Sequence, residues 1–206
     1  NGSGKTTLFN LITGVYAPDE GEAYFDGKRI TNLSPSKICH AGLSRTFQIT
    51  RLFWEMTVLE NMIVPIRQVG LGSMLGPNMF KEEIDRAIGL LEHVGLTHLK
   101  DEPARKLSFG QQKLLEFAAI LMASPTMVLL DEPAGGVNPT MIRFIMKLIQ
   151  ELNQDGVTFL VVEHNMGVVM ELCNHVVVMD QGTKLAEGAP EAIQANPAVL
   201  DAYLGN

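Results

Sequence analysis

The sequence predicts an α/β fold: a mostly parallel core sheet, an inserted α-helical subdomain and a small antiparallel β element. Three patterns carry that expectation. The chain opens on a glycine-rich run, Asn1-Gly2-Ser3-Gly4-Lys5-Thr6-Thr7, that leads straight into a helix. From about residue 125, strand-sized continuous apolar runs alternate with helices, as in a parallel sheet covered on both faces. Between about 49 and 124 the apolar spacing is helical instead.

The opening run contains most of the phosphate-cradling pattern G-x-x-x-x-G-K-S/T, whose first glycine would fall before Asn1. The sequence therefore reads as a piece of a longer one, with an upstream strand expected beside the strand near 127–130. Gly2 and Gly4 let backbone N–H groups approach phosphate oxygens closely. Lys5 places a point charge on the β- and γ-phosphates, and the Thr6 hydroxyl is the expected Mg2+ ligand. Thr7-Leu8-Phe9-Asn10-Leu11-Ile12-Thr13 then reads as a helix ended by Gly14, with its N-terminal dipole toward the phosphates. A Gly-Ser linker fits worse, since linkers do not run directly into an amphipathic helix.

Further elements follow in order. Glu22 to Ile30 alternates like a small hairpin turning at Asp26-Gly27. Ser34-Pro35-Ser36 starts a helix, with proline at its first position. A strand runs from Leu43 to Phe47 and ends at Gln48. Thr57 caps a run with apolar Val58, Met62, Ile63 and Ile66. A loop, Gly70 to Asn78, leads to an amphipathic stretch, Phe80 to Val94, with Ile84, Ala87, Ile88 and Leu91 on one face. Ser108 opens a helix to Ala123. Strands at 127–130, 157–162 and 176–179 and a helix at 139–154 complete the alternation. The expected organisation is one domain over 1–206, with a nucleotide-binding lobe of 1–48 and 125–206 and a helical lobe of 49–124.

Composition sets outer limits. With 206 residues, 46% apolar and 19% charged, the chain supports a substantial core and is unlike a disordered one. A formal net charge of -7 argues against a dedicated nucleic-acid binder, whose footprint is basic. Cys39 and Cys173 lie far apart with no C-x-x-C spacing, so neither a disulfide framework nor a zinc site is indicated. No apolar run approaches the ~18 residues needed to span a bilayer.

Four further features carry chemistry. Val128-Leu129-Leu130-Asp131-Glu132-Pro133 places two carboxylates at the C-terminal edge of a core strand, where α/β sheets bind ligands. Asp131 can support a Mg2+ shell, and Glu132 can orient or deprotonate a water. Leu107-Ser108-Phe109-Gly110-Gln111-Gln112 opens a helix whose first N–H groups form an anion site. Glu163-His164 ends another strand, where an imidazole can reach a γ-phosphate. Gln48, at a strand end, can ligate Mg2+. Alone, the acidic pair reads equally well as a solvated turn and the helix start as a plain cap, a lone histidine after a strand is more often structural, and Gln48 is a weak signal.

In this order the features resemble the nucleotide-binding subunit of an ABC transporter: the phosphate loop, Gln48, the signature Leu107–Gln112, the acidic strand Val128–Pro133, the loop Ala134-Gly135-Gly136-Val137-Asn138-Pro139, and His164. Arg45-Thr46-Phe47-Gln48 with Arg51-Leu52-Phe53, Met56-Thr57-Val58-Leu59-Glu60-Asn61 and the tail from Glu187 to Gly205 is similar to the branched-chain amino-acid uptake branch. Related urea or amide importers share much of this. A soluble ABC ATPase of DNA repair or translation fits less well, since neither coiled coils nor tandem motor domains are present. Phe109 stands where the common signature has glycine, and Asn138 where many members have aspartate.

The resemblance implies the P-loop NTPase fold of the ABC ATPases, ATP with Mg2+, and two motor domains sandwiching two ATP molecules head to tail. On one nucleotide it implies Asn1, Gly2, Ser3, Gly4, Lys5, Thr6, Thr7, Gln48, Asp131, Glu132 and His164, with Thr6, Gln48 and Asp131 toward the metal and Glu132 and His164 catalytic. Ser108, Gly110 and Gln111 would act on the partner's nucleotide. Implied partners are a second, paralogous ATPase subunit, two transmembrane permease subunits and, indirectly, a periplasmic solute-binding protein, with no nucleic acid. The implied place is the cytoplasmic face of the bacterial inner membrane. The helical lobe would dock the permeases, with Leu52, Phe53 and Trp54 either at that contact or in the lobe core.

Overall fold

The computed structural model describes residues 2–46, 52–64 and 77–204, with side chains at all of these except 77–80, 203 and 204. Asn1, Phe47, Gln48, Arg51 and the loop up to Gly76 lie outside the described residues, as do the side chains of Asn78, Met79 and Phe80. The chain divides into two compact units, Asn1–Ile38 with Val161–Asn206, and Cys39–Leu160. These bounds differ from the lobes expected above, because strand pairing ties the segment after Cys39 to the strand at 127–131.

In the first unit, α1 (Lys5–Ile12) buries Phe9. The Thr13 hydroxyl donates to the Phe9 carbonyl at 2.6 Å, and Gly14 follows with φ +70°. A Cβ on Gly14 would overlap the Leu33 carbonyl oxygen, so the helix can leave this way only through glycine. β1 (Tyr24–Phe25) and β2 (Lys28–Arg29) pair antiparallel around Asp26 and Gly27, both at positive φ, the conformation a tight two-residue hairpin requires. α2 (Pro35–His40) starts on proline as expected.

The second unit holds β3 (Leu43–Arg45), α3 (Val58–Ile63), α4 (Pro77–His93), α5 (Phe109–Leu121), β4 (Met127–Asp131), α6 (Pro139–Gln154) and the start of β5 (Thr158–Val162). The sheet order is β3-β4-β5, and β3 runs parallel to β4 with Leu43 opposite Met127 and Arg45 opposite Leu129. Val128, Leu129 and Leu130 are fully buried, as a continuous apolar strand in a covered sheet must be. Each such side chain contributes about 1.5–3 kcal/mol through burial. β4 thus has a strand on both sides, which corrects the expectation of an upstream strand beside it. The backbone of Leu43-Ser44-Arg45 pairs with that edge instead.

Asn61, buried on α3, fixes the preceding turn. Its Oδ1 accepts from the Phe53 N–H at 2.8 Å, and its Nδ2 donates to the Phe53 and Thr57 carbonyls at 3.0 and 2.9 Å. Phe53 and Trp54 stand 48% and 44% exposed on that turn, which places them outside the lobe core.

Back in the first unit, α7 (Met166–Leu172) is capped by Asn165, and α8 (Pro190–Gln194) and α9 (Pro197–Leu204) close the chain. β6 (Val176–Asp180) pairs antiparallel with β7 (Thr183–Gly188), a strand whose sequence carries no continuous apolar run. Among the described residues β6 has this partner alone, so the strand at 176–179 does not extend the β3-β4-β5 order.

Candidate functional site

The expected site residues divide between the two units. In the first, Gly2 and Gly4 have φ +80° and +91°, which turns successive peptide N–H groups to one side of the loop. No side chain caps α1 and its first turn carries no acid, so its N-terminal N–H groups and dipole suit an anion. Lys5 Nζ donates to Ser3 Oγ at 2.7 Å. Thr6 and Thr7 are exposed.

A support that the sequence did not disclose sits behind this loop. The Gly182 N–H, at the tip of the β6–β7 hairpin, donates to the Ser3 carbonyl at 3.1 Å. Gln181 and Gly182 both have positive φ, and a Cβ on Gly4 would stand 3.4 Å from Gly182 Cα. The hairpin tip thus fixes the orientation of the Ser3 peptide. The dipeptide Gln181-Gly182 was the available turn signal.

His164 is exposed at the end of β5, where its backbone N–H donates to the Glu163 carboxylate at 3.2 Å. The same carboxylate accepts from the Asn165 N–H at 3.3 Å, so Glu163 shapes the turn that carries the imidazole. Burial, and then the charge of Glu163, push the Cys173 thiol above its ordinary range.

In the second unit, Asp131 ends β4 almost wholly buried. Arg45 Nη2 donates to Asp131 Oδ2 at 2.9 Å, with the two side chains 6% and 1% exposed. The Asp131 N–H donates to the Thr46 hydroxyl at 3.3 Å. Asp131 Oδ1 is buried with no hydrogen-bond partner among the described residues. An unsatisfied buried carboxylate oxygen fits the hydrated shell of Mg2+, a hard cation that keeps its waters and takes one or two carboxylates. Thr6 offers a second hard oxygen of the right type within its own unit. The end of β4 opens on a small cavity of about 20 Å³ lined by Thr46, Lys113, Glu116 and Asp131 among others.

Glu132 follows at φ +50°, an uncommon conformation for a residue with a Cβ. The Gly135 N–H donates back to the Glu132 carbonyl at 2.9 Å and closes a tight turn that leaves the carboxylate half exposed. Ser108 caps α5 reciprocally: its backbone N–H donates to Gln111 Oε1 at 2.9 Å, and the Gln111 N–H donates to Ser108 Oγ at 3.4 Å. Ser108 is exposed and Gly110 half exposed, with no acid in the first turn of α5. Gln48, expected toward the metal, lies outside the described residues, as does Asn1.

The sequence reading missed Arg45 as a partner of Asp131. The signal was a charged residue in a strand otherwise destined for the core, since a buried arginine demands a carboxylate.

Comparison with known proteins follows the same lines. Residues 1–135 match the family described as ABC transporter, and residues 183–206 match the family described as branched-chain amino acid ATP-binding cassette transporter. The chain is 42% identical over 210 residues to the probable branched-chain amino acid transport ATP-binding protein LivG of Archaeoglobus fulgidus, covering 100% of this chain and 82% of the relative. It is 42% identical over 216 residues to the high-affinity branched-chain amino acid transport ATP-binding protein BraF of Pseudomonas aeruginosa, covering 100% and 84%. Among solved structures it resembles the ADP conformation of an ATP-binding cassette of an ABC transporter, at TM-score 0.86 and 38% identity, over 100% of this chain and 85% of that one.

Proposed function

The chain belongs to the ABC transporter family of ATP-binding, ATP-hydrolysing proteins, and from that premise we propose that it is the motor subunit of a branched-chain amino-acid importer. The observation that carries the reading is the end of β4, where a buried, ion-paired Asp131 is followed by Glu132 at positive φ.

In this reading Gly2 to Thr7 cradle the nucleotide phosphates through backbone N–H groups, and Lys5 supplies a fixed positive charge. Mg2+, when bound, neutralises charge on the β- and γ-phosphates. Thr6, Asp131 and Gln48 are the residues that would hold it. Glu132 takes the proton of the attacking water, and His164 orients that water against the γ-phosphate. Ser108, Gly110 and Gln111 present a capped, acid-free helix start to the nucleotide of a second ATPase subunit, a paralogue in this reading.

Two permease subunits would receive the turn at Phe53-Trp54, whose rings are exposed and whose Phe53 backbone is hydrogen-bonded by Asn61. A periplasmic solute-binding protein would deliver the solute. Among the described residues no helix is long and apolar enough to cross a membrane. Attachment to the cytoplasmic face of the inner membrane would then come from the permeases.

The test is steady-state ATPase activity of the full-length protein and its Glu132→Gln variant, with nucleotide binding measured beside it. Turnover should fall by two or more orders of magnitude (roughly 10²–10⁴) while ATP affinity holds. Equal loss of binding and turnover would remove the assigned role of Glu132.

A further inference from the structure

The start of α5 and the turn that bears Glu132 are joined by one aromatic ring. Phe109, the first residue of α5, is 49% exposed, yet its ring rests on the backbone of Gly136. A Cβ on Gly136 would stand 3.0 Å from Phe109 Cε1 and 3.4 Å from Cζ. Gly136 also has φ +73°, so both its conformation and its neighbour require glycine. One helical turn on, Lys113 Nζ lies 5.3 Å from the centre of the same ring, a cation–π contact that limits its rotation. A second contact runs beside the first: a Cβ on Gly110 would stand 3.0 Å from Met141 Cε, and Met141 is the residue whose N–H caps α6 on Asn138 Oδ1 at 2.9 Å.

From Gly136 the path to the acid is short. A Cβ on Gly135 would stand 3.1 Å from the Glu132 carbonyl oxygen and 3.9 Å from its carboxylate Oε2. The turn has no slack, because Glu132 already holds a left-handed conformation and the Gly135 N–H is bonded back to it. A shift of the ring therefore moves Gly136, and with it the carboxylate.

We propose that Phe109 is a positioning residue: through Gly136 and Gly135 it sets the placement of Glu132, so the helix start that meets one nucleotide fixes the acid that serves the other. This rests on the function proposed above. It gives the aromatic residue at the third signature position a task that glycine could not perform, and it links two nucleotides without a contact between them.

The experiment compares the full-length protein with Phe109→Ala, Phe109→Tyr, Gly136→Ala and the double variant Phe109→Ala/Gly136→Ala. Each is assayed for kcat, KM and Hill coefficient for ATP, with denaturant unfolding beside it. Phe109→Ala should lower kcat about tenfold with KM within about twofold, and lower the Hill coefficient toward one. Phe109→Tyr keeps the ring and should retain kcat within about twofold. Gly136→Ala should lower kcat as Phe109→Ala does, and the double variant should be no worse than the worse single one. Multiplicative losses in the double variant, or a kcat loss that follows the unfolding midpoint, would overturn the proposal. Should Phe109→Ala fail to fold, Phe109→Leu carries the same expectation, since it keeps apolar bulk without a ring face. Glu132→Gln assayed alongside separates the two readings. An inactive Glu132→Gln beside a fully active Phe109→Ala removes this proposal alone, whereas an active Glu132→Gln removes the acid's role and this proposal with it.

Discussion

The phosphate loop of the first unit and the acidic strand end of the second both use left-handed backbone, but they fill it with different residues. The loop places glycines at φ +80° and +91°, whereas the strand end places Glu132 at φ +50°. The difference follows from which atoms do the work. A phosphate cradle is made of N–H groups, so the side chain can be dispensed with. A general base is a side chain, so the strain must be accepted and the surroundings must hold it. Support differs accordingly: one backbone hydrogen bond from Gly182 stands behind the loop, while a buried arginine and a threonine hydroxyl hold Asp131.

The largest effect should come from breaking the buried support. Arg45→Met leaves the Asp131 carboxylate buried without its cation, at a cost of about 3–5 kcal/mol. Urea unfolding should show a lower midpoint with an unchanged slope. Lys5→Met removes a half-buried cation bonded, among the described residues, to Ser3 of its own loop, and should change stability by about 0.5 kcal/mol or less while abolishing nucleotide binding. Similar stability losses in the two variants would break the comparison.

A smaller pair of effects should run in opposite directions. Gly4→Ala meets only ordinary contact at Gly182, so its cost is the conformation itself, about 1–2 kcal/mol. Glu132→Gly relieves the same kind of strain and should stabilise by about 1 kcal/mol, while removing turnover. Thermal unfolding of both variants checks the signs. Destabilisation by Glu132→Gly would mean that its side-chain contacts outweigh the backbone strain.

The comparison also explains what could be read in the sequence. The loop was legible because its chemistry is a spacing of glycines ahead of Lys5, with no distant residue needed. β4, α5 and α6 were legible because their signals are local: an apolar run at 127–130, and Ser108 and Pro139 at helix starts where the structure has them. The support of Asp131 was not legible, since Arg45 meets it across 86 positions of chain through β3–β4 pairing. Likewise, nothing local to Gly4 points to Gly182, and nothing local to Phe109 points to Gly136. β7 escaped because it carries no apolar run and is held by its antiparallel pairing with β6.

The smallest effect concerns two caps of one design. Thr57 with Glu60 starts α3, and Ser108 with Gln111 starts α5, each with a reciprocal pair of side-chain and backbone bonds. Only the first can titrate. The Thr57 N–H, and then its hydroxyl, hold the Glu60 carboxyl below the ordinary glutamate range. A folded pKa below the unfolded one gives stability that is present above the unfolded value and lost as pH falls through the folded one. The stability difference between wild type and Glu60→Gln should therefore close on acidification through and below the ordinary glutamate range, as urea midpoints will show. A constant difference would place the effect outside the cap. Gln111→Glu is the converse test. It should add the same acid-dependent stability to α5, yet impair ATP-driven pairing, because it sets a carboxylate in a helix start that the proposed function turns toward phosphate. The two starts assigned to phosphate, those of α1 and α5, carry no acid in their first turn, while α3 carries Glu60. An acid in the first turn suits the helix dipole but repels phosphate, so Glu60 fits a start that only begins a helix and Gln111 one turned toward an anion.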